Sequence, residues 1–171
     1  MTAVVVADAG PLIGLARTER LSLLAALYGS VPVPERVLAE LHVASDRPEA
    51  RALSAALAQG TIQPQALRDG SATELARLGL LLDAGETSAI RLAEQTQCRF
   101  LLIDARRGRQ IARARGIPVV GLAGVLLAAK RSGLLPSVAA ALADLTREGY
   151  RLSDTLVSEV LRLAGEAESA G

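Results

Sequence analysis

Aromatic residues are scarce in this chain of 171 residues. They make up 2% of it, with no tryptophan, one phenylalanine and two tyrosines. A platform on which nucleic-acid bases stack is therefore not expected, because stacking needs exposed rings. Histidine and cysteine occur once each, as His42 and Cys98. These counts exclude an internal disulfide and a metal site with several histidines, and a Ser-His-Asp triad would have to use that one histidine.

An excess of charge and long apolar runs are also absent. The formal net charge is +1, so the whole molecule does not present a basic field to nucleic acid. No run of about 18 apolar residues occurs, so a membrane-spanning helix is not expected. Residues 1–4 lack the basic region of a secretory signal, and a lone cysteine fits a reducing compartment, so we expect a cytoplasmic protein. The length predicts a single domain over residues 1–171.

Short apolar runs alternate with helical patterns. Residues 3–7, 31–33, 100–103 and 117–120 are predicted strands, and 61–65 is a predicted edge strand because it contains a proline. Helices are predicted at about 12–16, 21–27, 34–41, 49–57, after Gly85, and at 106–115, 122–130 and 138–145. A last helix, capped by Ser153, is expected to turn Leu156, Val157, Val160, Leu161 and Leu163 inward. The alternation predicts an α/β fold with a parallel sheet covered on both faces, in which ligands bind beyond the carboxyl ends of the strands.

Four acidic residues stand out against this pattern. Asp8 and Asp104 each end an apolar strand, Glu40 borders the apolar stripe of its helix, and Glu86 shares a helix face with Ala89 and Ile90. Carboxylates turned toward a core are costly unless they are paired or bind metal. Because no matching set of basic residues occurs at equivalent places, a cluster that binds Mg²⁺ or Mn²⁺ is indicated.

Each of these acids also has a structural explanation when it is taken alone. Asp8 and Asp104 could cap the helices that follow them. Glu86 could stabilise the first turn of its helix through the macrodipole. Glu40 could be a surface residue at the edge of an amphipathic helix. The combination of the four is what favours a metal site.

At these residues the sequence resembles PIN-domain proteins, and in particular a PIN-like subgroup of unknown function grouped with VapBC-type toxins. The resemblance extends from residue 4 to about residue 165, and the order and spacing of its segments carry it rather than any one segment. The segments are 5–13, 33–41, 85–93, 101–109 and 120–130.

The resemblance implies a three-layer α/β/α PIN-like fold with a short parallel sheet. It also implies a Mg²⁺- or Mn²⁺-dependent endoribonuclease, usually the toxin of a type II toxin–antitoxin pair. Asp8, Glu40, Glu86 and Asp104 would be the catalytic and metal-binding residues. Asp8 and Asp104 would be the central ligands, and the two glutamates would complete the shell directly or through water.

Three positions depart from the family pattern. Ala105 stands where a second aspartate is common, Gly10 where a hydroxyl or amide residue is common, and Leu102 where a serine or threonine is common. These departures favour an alternative function, a catalytically weak or inactive PIN-like module that binds RNA or a partner protein. A phosphotransfer protein fits less well, because Lys130 lies in a predicted helix rather than late in the sheet and position 10 is not an aspartate.

Positive charge follows Asp104 closely. Arg106, Arg107 and Arg109 are candidates for binding RNA phosphates, since a guanidinium matches phosphate in a bidentate manner. A solvent-exposed helix face explains them equally well.

Partners are predicted from the apolar C-terminal helices, whose stripes one small domain cannot all bury. We therefore expect some of them to face another subunit or an antitoxin helix. The resemblance implies a homodimer and an antitoxin protein that covers the acidic site. The structural alternative is that these stripes complete the core of a monomer.

Overall fold

A computed structural model describes residues 3–70 and 72–167. Residues 1 and 2, which belong to the segment predicted to lack a secretory signal, lie outside these ranges, as do the last four residues of the predicted domain. The strands are β1 (Val5–Ala7), β2 (Val31–Val33), β3 (Ile62–Pro64), β4 (Phe100–Leu102) and β5 (Val119–Val120). The helices are α1 (Ala9–Arg17), α2 (Ser22–Tyr28), α3 (Glu35–Leu41), α4 (Ala50–Ala58), α5 (Ala72–Gly79), α6 (Ala84–Thr96), α7 (Arg106–Ala114), α8 (Leu122–Arg131), α9 (Val138–Arg147) and α10 (Asp154–Leu163).

The strand pairs of the described chain are parallel. One sheet has the order β1-β4-β5, and β2 and β3 form a second, two-stranded sheet that runs beside β1. Helices connect the paired strands, as a parallel arrangement requires. The predicted α/β class with a short parallel sheet is therefore confirmed.

Strand composition explains the position of each strand. The residues of β1, β2 and β4 are buried throughout, as expected for short apolar strands covered on both faces. In β3, Gln63 and Pro64 are exposed, and Pro64 ends the strand at an edge, where a missing N–H is tolerated.

Helices cover the sheet in two groups. In the first, α6 packs on β1 and β4 and contacts α3, α5 and α7. In the second, α8 contacts α2, α9 and α10. The buried apolar side chains from Val5 to Val160 form one continuous cluster, in which Cys98 is also buried. Burial raises the pKa of the Cys98 thiol to about 11, so it is a packing residue and not a reactive thiol at neutral pH.

Two local expectations were wrong, and one helix was not predicted. Leu156 and Leu163 are 39% and 43% exposed, because the buried side of α10 centres on Val157 and Val160 and these leucines lie about a quarter turn away. Helix α5 was not predicted, since its buried side is limited to Leu78. Gly85 lies inside the first turn of α6 and does not precede that helix. In the described ranges, none of the helices has the length and apolarity that a bilayer span requires.

Candidate active site

Asp8 and Asp104 lie at the same edge of the sheet. In the parallel pair β1-β4, Ala7 stands opposite Leu102, and the backbone N–H of Asp8 donates to the carbonyl oxygen of Leu102 over 2.9 Å. Asp104 follows two residues after Leu102, beyond the end of β4. Both aspartates therefore leave the sheet at its carboxyl edge, where α/β proteins bind ligands.

The carboxylate of Asp8 is buried and incompletely bonded. The residue is 7% exposed, and its Oδ1 has no hydrogen-bond partner within the described part of the chain. Asp8 stands at the N-cap position of α1 without making a side-chain cap bond to that helix. Burial, followed by the nearby charges of Glu40, Glu86 and Asp83, raises the pKa of Asp8 to about 7, against a partial offset from the Ala9 N–H. The structural explanation of Asp8 as a helix cap is therefore not sufficient.

Glu40 enters this cluster from α3 because Gly85 leaves room for it. A Cβ atom added at Gly85 would overlap the Glu40 carboxylate, so the glycine leaves the space that this carboxylate occupies. The Gly85 N–H also hydrogen-bonds to Glu40. Burial, Asp83 and Glu86 together raise the pKa of Glu40. This residue is half-buried and does not lie on an open surface as its structural alternative required.

Glu86 has a structural partner in Asp83, a residue that the sequence analysis missed. The Glu86 N–H donates to Asp83 Oδ1 over 2.8 Å, and the Asp83 N–H donates to Glu86 Oε2 over 3.3 Å. This reciprocal capping box starts α6. Burial and the charge of Asp83 raise the pKa of Glu86. The D-x-x-E spacing at 83–86 was the available signal for it.

Asp104 is held by elements that follow it in the chain. The backbone N–H of Leu122, at the start of α8, donates to Oδ1 and Oδ2 over 3.2 and 3.1 Å. The hydroxyl of Tyr150 donates to Oδ2. Asp104 therefore does not cap the next helix, α7, whose N-cap position is occupied by Ala105. Nothing in the sequence marked Tyr150 as part of this site.

The structure shows where the three departures from the family pattern lie. Leu102 is fully buried in β4, so its side chain belongs to the core. Gly10 is exposed in the first turn of α1, and a Cβ added there would lie 3.9 Å from the Tyr150 hydroxyl. Ala105 has no side-chain oxygen with which to cap α7.

The donor chemistry of the cluster fits a hard divalent cation, although a closed metal cage is not formed. Asp8, Glu40 and Glu86 are mutually repelling carboxylates, and Asp8 Oδ1 is a buried oxygen that needs a cation or a proton. In the described ranges, however, no three histidine, cysteine, aspartate or glutamate side chains are grouped closely enough to hold a metal ion. The assignment of Asp8, Glu40, Glu86 and Asp104 as metal ligands stays a prediction.

A basic groove opens beside Asp104. It has a volume of about 800 Å³ and runs between α7, α8 and α10, with Asp104, Arg106, Arg109, Arg113 and Arg151 on its walls. The guanidinium group of Arg109 donates to the Ile103 carbonyl oxygen over 2.8 Å, which holds that group next to the acidic edge. Arg107 is exposed but does not line the groove.

Some arginines of the described chain form ion pairs, and others, both in this groove and outside it, do not. Arg17, Arg20 and Arg115 are paired with carboxylates. Among the described residues, no carboxylate lies within ion-pair distance of Arg106, Arg113 or Arg151. Arg151 was not a sequence candidate, because it lies apart from the arginines of α7.

A short parallel sheet between helices, with carboxylates and a basic groove at its carboxyl edge, defines an α/β protein suited to polyanionic ligands. The profile of the family DUF3368, described as a PIN domain, matches residues 4–166. The chain belongs to this PIN-domain family, and the resemblance seen in the sequence is confirmed. PIN domains are generally nucleases, which supports a hydrolase. No curated protein matches the chain.

Proposed function

We propose that this protein is a Mg²⁺- or Mn²⁺-dependent endoribonuclease. The observation that carries the proposal is the buried Asp8 oxygen without a hydrogen-bond partner, beside Glu40 and Glu86 at the carboxyl edge of the sheet. Such an oxygen is costly to bury unless a cation or proton binds it. Asp8 and Asp104 would be the central ligands, with Glu40 and Glu86 completing the shell.

A divalent cation bound there would activate water and stabilise the charge that develops on a phosphodiester. The protein's own residues would bind and orient the RNA. Arg106 and Arg109 line the groove that ends at Asp104, and their guanidinium groups are suited to RNA phosphates. Arg107 is exposed on the same helix and would contact RNA outside the groove.

Cleavage of labelled RNA tests the proposal. The wild-type protein should cleave with Mg²⁺ or Mn²⁺ and not with EDTA, and Asp8→Asn should lower the rate by at least about 100-fold. Asp46→Asn is the matched control, because Asp46 is an exposed aspartate in a loop and its change should leave the rate unaltered. Equal cleavage by wild type and Asp8→Asn would contradict the proposal.

A second candidate is an inactive PIN-like module that binds RNA or a partner protein. Both oxygens of Asp104 are already hydrogen-bonded, and Ala105 removes a carboxylate that is common in related sequences, which favours this candidate. It predicts RNA binding in EDTA with no cleavage in either metal. A fluorescence-anisotropy titration beside the cleavage assay separates the two functions.

We further propose a cytoplasmic toxin that forms a homodimer and is inhibited by an antitoxin protein. The exposed Leu156 and Leu163 of α10, with the exposed Leu134 between α8 and α9, support an apolar contact surface in the C-terminal part of the chain. The buried lone Cys98 is compatible with a reducing compartment. Light scattering over a dilution series tests the dimer, and a monomer at every concentration would refute it.

A further inference from the structure

Tyr150 connects three elements at the acidic edge. It follows α9, and its ring lies against α1: a Cβ added at Gly14 would be 3.0 Å from Tyr150 Cε2 and 3.1 Å from Leu122 Cδ2. Gly14 therefore permits the ring to fit between α1 and the start of α8. Packing against Gly14 therefore contributes to the position of the ring.

The hydroxyl of Tyr150 makes a hydrogen bond at the acidic edge of the sheet. It donates to Asp104 Oδ2, while the Leu122 N–H donates to the same carboxylate. Burial and the charges of Asp104 and Asp8 raise the pKa of Tyr150, so the hydroxyl keeps its proton at neutral pH and can donate it in this hydrogen bond. Asp104 is thus oriented by two donors from outside β4, and one of them is a side chain.

We propose that Tyr150 is a positioning residue that holds the carboxylate of Asp104 beside Asp8 for binding of the divalent cation. This inference rests on the proposed function. Carboxylates that bind metals are commonly hydrogen-bonded by residues that do not touch the metal, and loss of such a partner weakens binding. The hydroxyl restricts rotation of the Asp104 side chain, so Asp104 does not have to be ordered when the cation binds.

Tyr150→Phe is the direct test, because it removes the hydroxyl and keeps the ring against Gly14. Titration of the metal-free full chain with Mn²⁺, followed by electron paramagnetic resonance or calorimetry, should show affinity weakened about 10–100-fold. With RNA as substrate at a fixed Mn²⁺ level below saturation of the variant, kcat should fall and KM for RNA should stay unchanged. A structural role would instead change the melting temperature with Mn²⁺ affinity preserved.

The chain provides a matched control in its other tyrosine. Tyr28 is half-buried in α2 and its ring makes an edge contact with Phe100, with centroids 5.3 Å apart. Tyr28→Phe should leave Mn²⁺ affinity and kcat unchanged. A double-mutant cycle with Asp104→Asn adds a second measurement, since Tyr150→Phe should have little further effect once Asp104 has lost its charge.

The outcomes separate the inference from the proposed function. If wild type binds Mn²⁺ and cleaves RNA but Tyr150→Phe behaves like Tyr28→Phe, the positioning role is overturned alone. Tighter Mn²⁺ binding by Tyr150→Phe would also overturn it, since the tyrosine would then hold Asp104 away from the cation. An unfolded Tyr150→Phe would make the residue structural. If wild type neither binds Mn²⁺ nor cleaves RNA, the proposed function fails and the inference fails with it.

Discussion

Asp8 is the residue at which stability and the proposed function oppose each other. Its carboxyl group is buried among other acids, so the ionised form is unfavourable in the metal-free protein. A cation would favour that same ionised form. The ionised Asp8 carboxylate therefore destabilises the metal-free protein, and a bound cation would remove that destabilisation. The effect on the free energy of unfolding can be measured without a substrate.

Replacing Asp8 should stabilise the metal-free protein in a pH-dependent way. The folded-state pKa of about 7 lies above the ordinary value of 3.8, so wild type loses stability as the pH rises between these values. At pH 8 in EDTA, Asp8→Asn should raise the free energy of unfolding by about 1–4 kcal/mol, and the difference should vanish near pH 4. Urea denaturation from pH 4 to pH 8, with Asp46→Asn as the control, measures this. A difference independent of pH would contradict the assignment.

Gly85 matters through the space that it leaves for Glu40. In Gly85→Ala, the added methyl group must displace the Glu40 carboxylate, although alanine is the better helix former by up to about 1 kcal/mol. We expect the gain in stability to appear fully only in the background of Glu40→Ala, where the clash is absent. Thermal unfolding of the four proteins of this cycle tests the prediction. Equal gains in both backgrounds would show that Glu40 does not occupy this position.

At the scale of the elements, Glu166 joins α10 to the start of α9. Its carboxylate accepts hydrogen bonds from Lys130 Nζ and the Val138 N–H over 2.8 Å each, from Ser137 Oγ over 3.0 Å and from the Ala139 N–H over 3.1 Å. The side chain is 15% exposed. An anion at a helix N-terminus with a lysine beside it is stabilised by both charge and hydrogen bonds. This contact fixes the C-terminal end of the described chain.

Glu166→Gln should therefore destabilise the protein at neutral pH. The Lys130 ammonium and the backbone N–H groups lower the pKa of Glu166 to about 2, from an ordinary 4.5. The stabilisation, about 1–2 kcal/mol, should be complete above pH 4.5 and should decrease as the pH falls toward 2. Urea denaturation between pH 3 and 7 checks this. Glu159→Gln, in the exposed pair with Arg162 on the same helix, is the control and should change little.

The elements show which features could be predicted from sequence. Strands β1 and β4 were predictable because their apolar runs are short and are followed by Asp8 or Asp104. Helix α5 was not, because one buried leucine creates no clear periodicity. The carboxyl edge could be expected from the two aspartates, whereas Tyr150 could not, since only tertiary packing brings residue 150 to residue 104.

At the scale of the whole molecule, a nearly neutral protein places an acidic cluster and a group of arginines next to each other. Asp8 and Asp104 lie at the carboxyl edge of the sheet, and the adjacent groove is lined by arginines that have no ion-pair partner among the described residues. A local basic surface can bind phosphates even when the net charge is only +1. The net charge alone therefore did not indicate this local group of arginines, which supports the proposed binding of RNA.

Charge reversal in the groove should weaken RNA binding without involving catalysis. In EDTA, Arg113→Glu combined with Arg151→Glu should lower the affinity for single-stranded RNA by at least about 10-fold and reduce its dependence on salt. The double variant Arg51→Glu and Arg131→Glu is the matched control, because both are exposed arginines outside the groove and the change in net charge is the same. Fluorescence anisotropy at several salt concentrations gives both quantities. An equal loss for this control would indicate attraction by overall charge only.

The contact between Tyr150 and Asp104 spans 46 positions of the chain. During synthesis, β1, α3, α6 and β4 emerge before the tyrosine exists, so a nascent chain carries all four acids while Asp104 lacks its side-chain hydrogen-bond donor. Chains are made at about 5–20 residues per second, so this interval lasts on the order of seconds. The order of the sequence therefore sets the order in which the site forms. The hydrogen bond between Tyr150 and Asp104 can form only after residue 150 has been added to the chain.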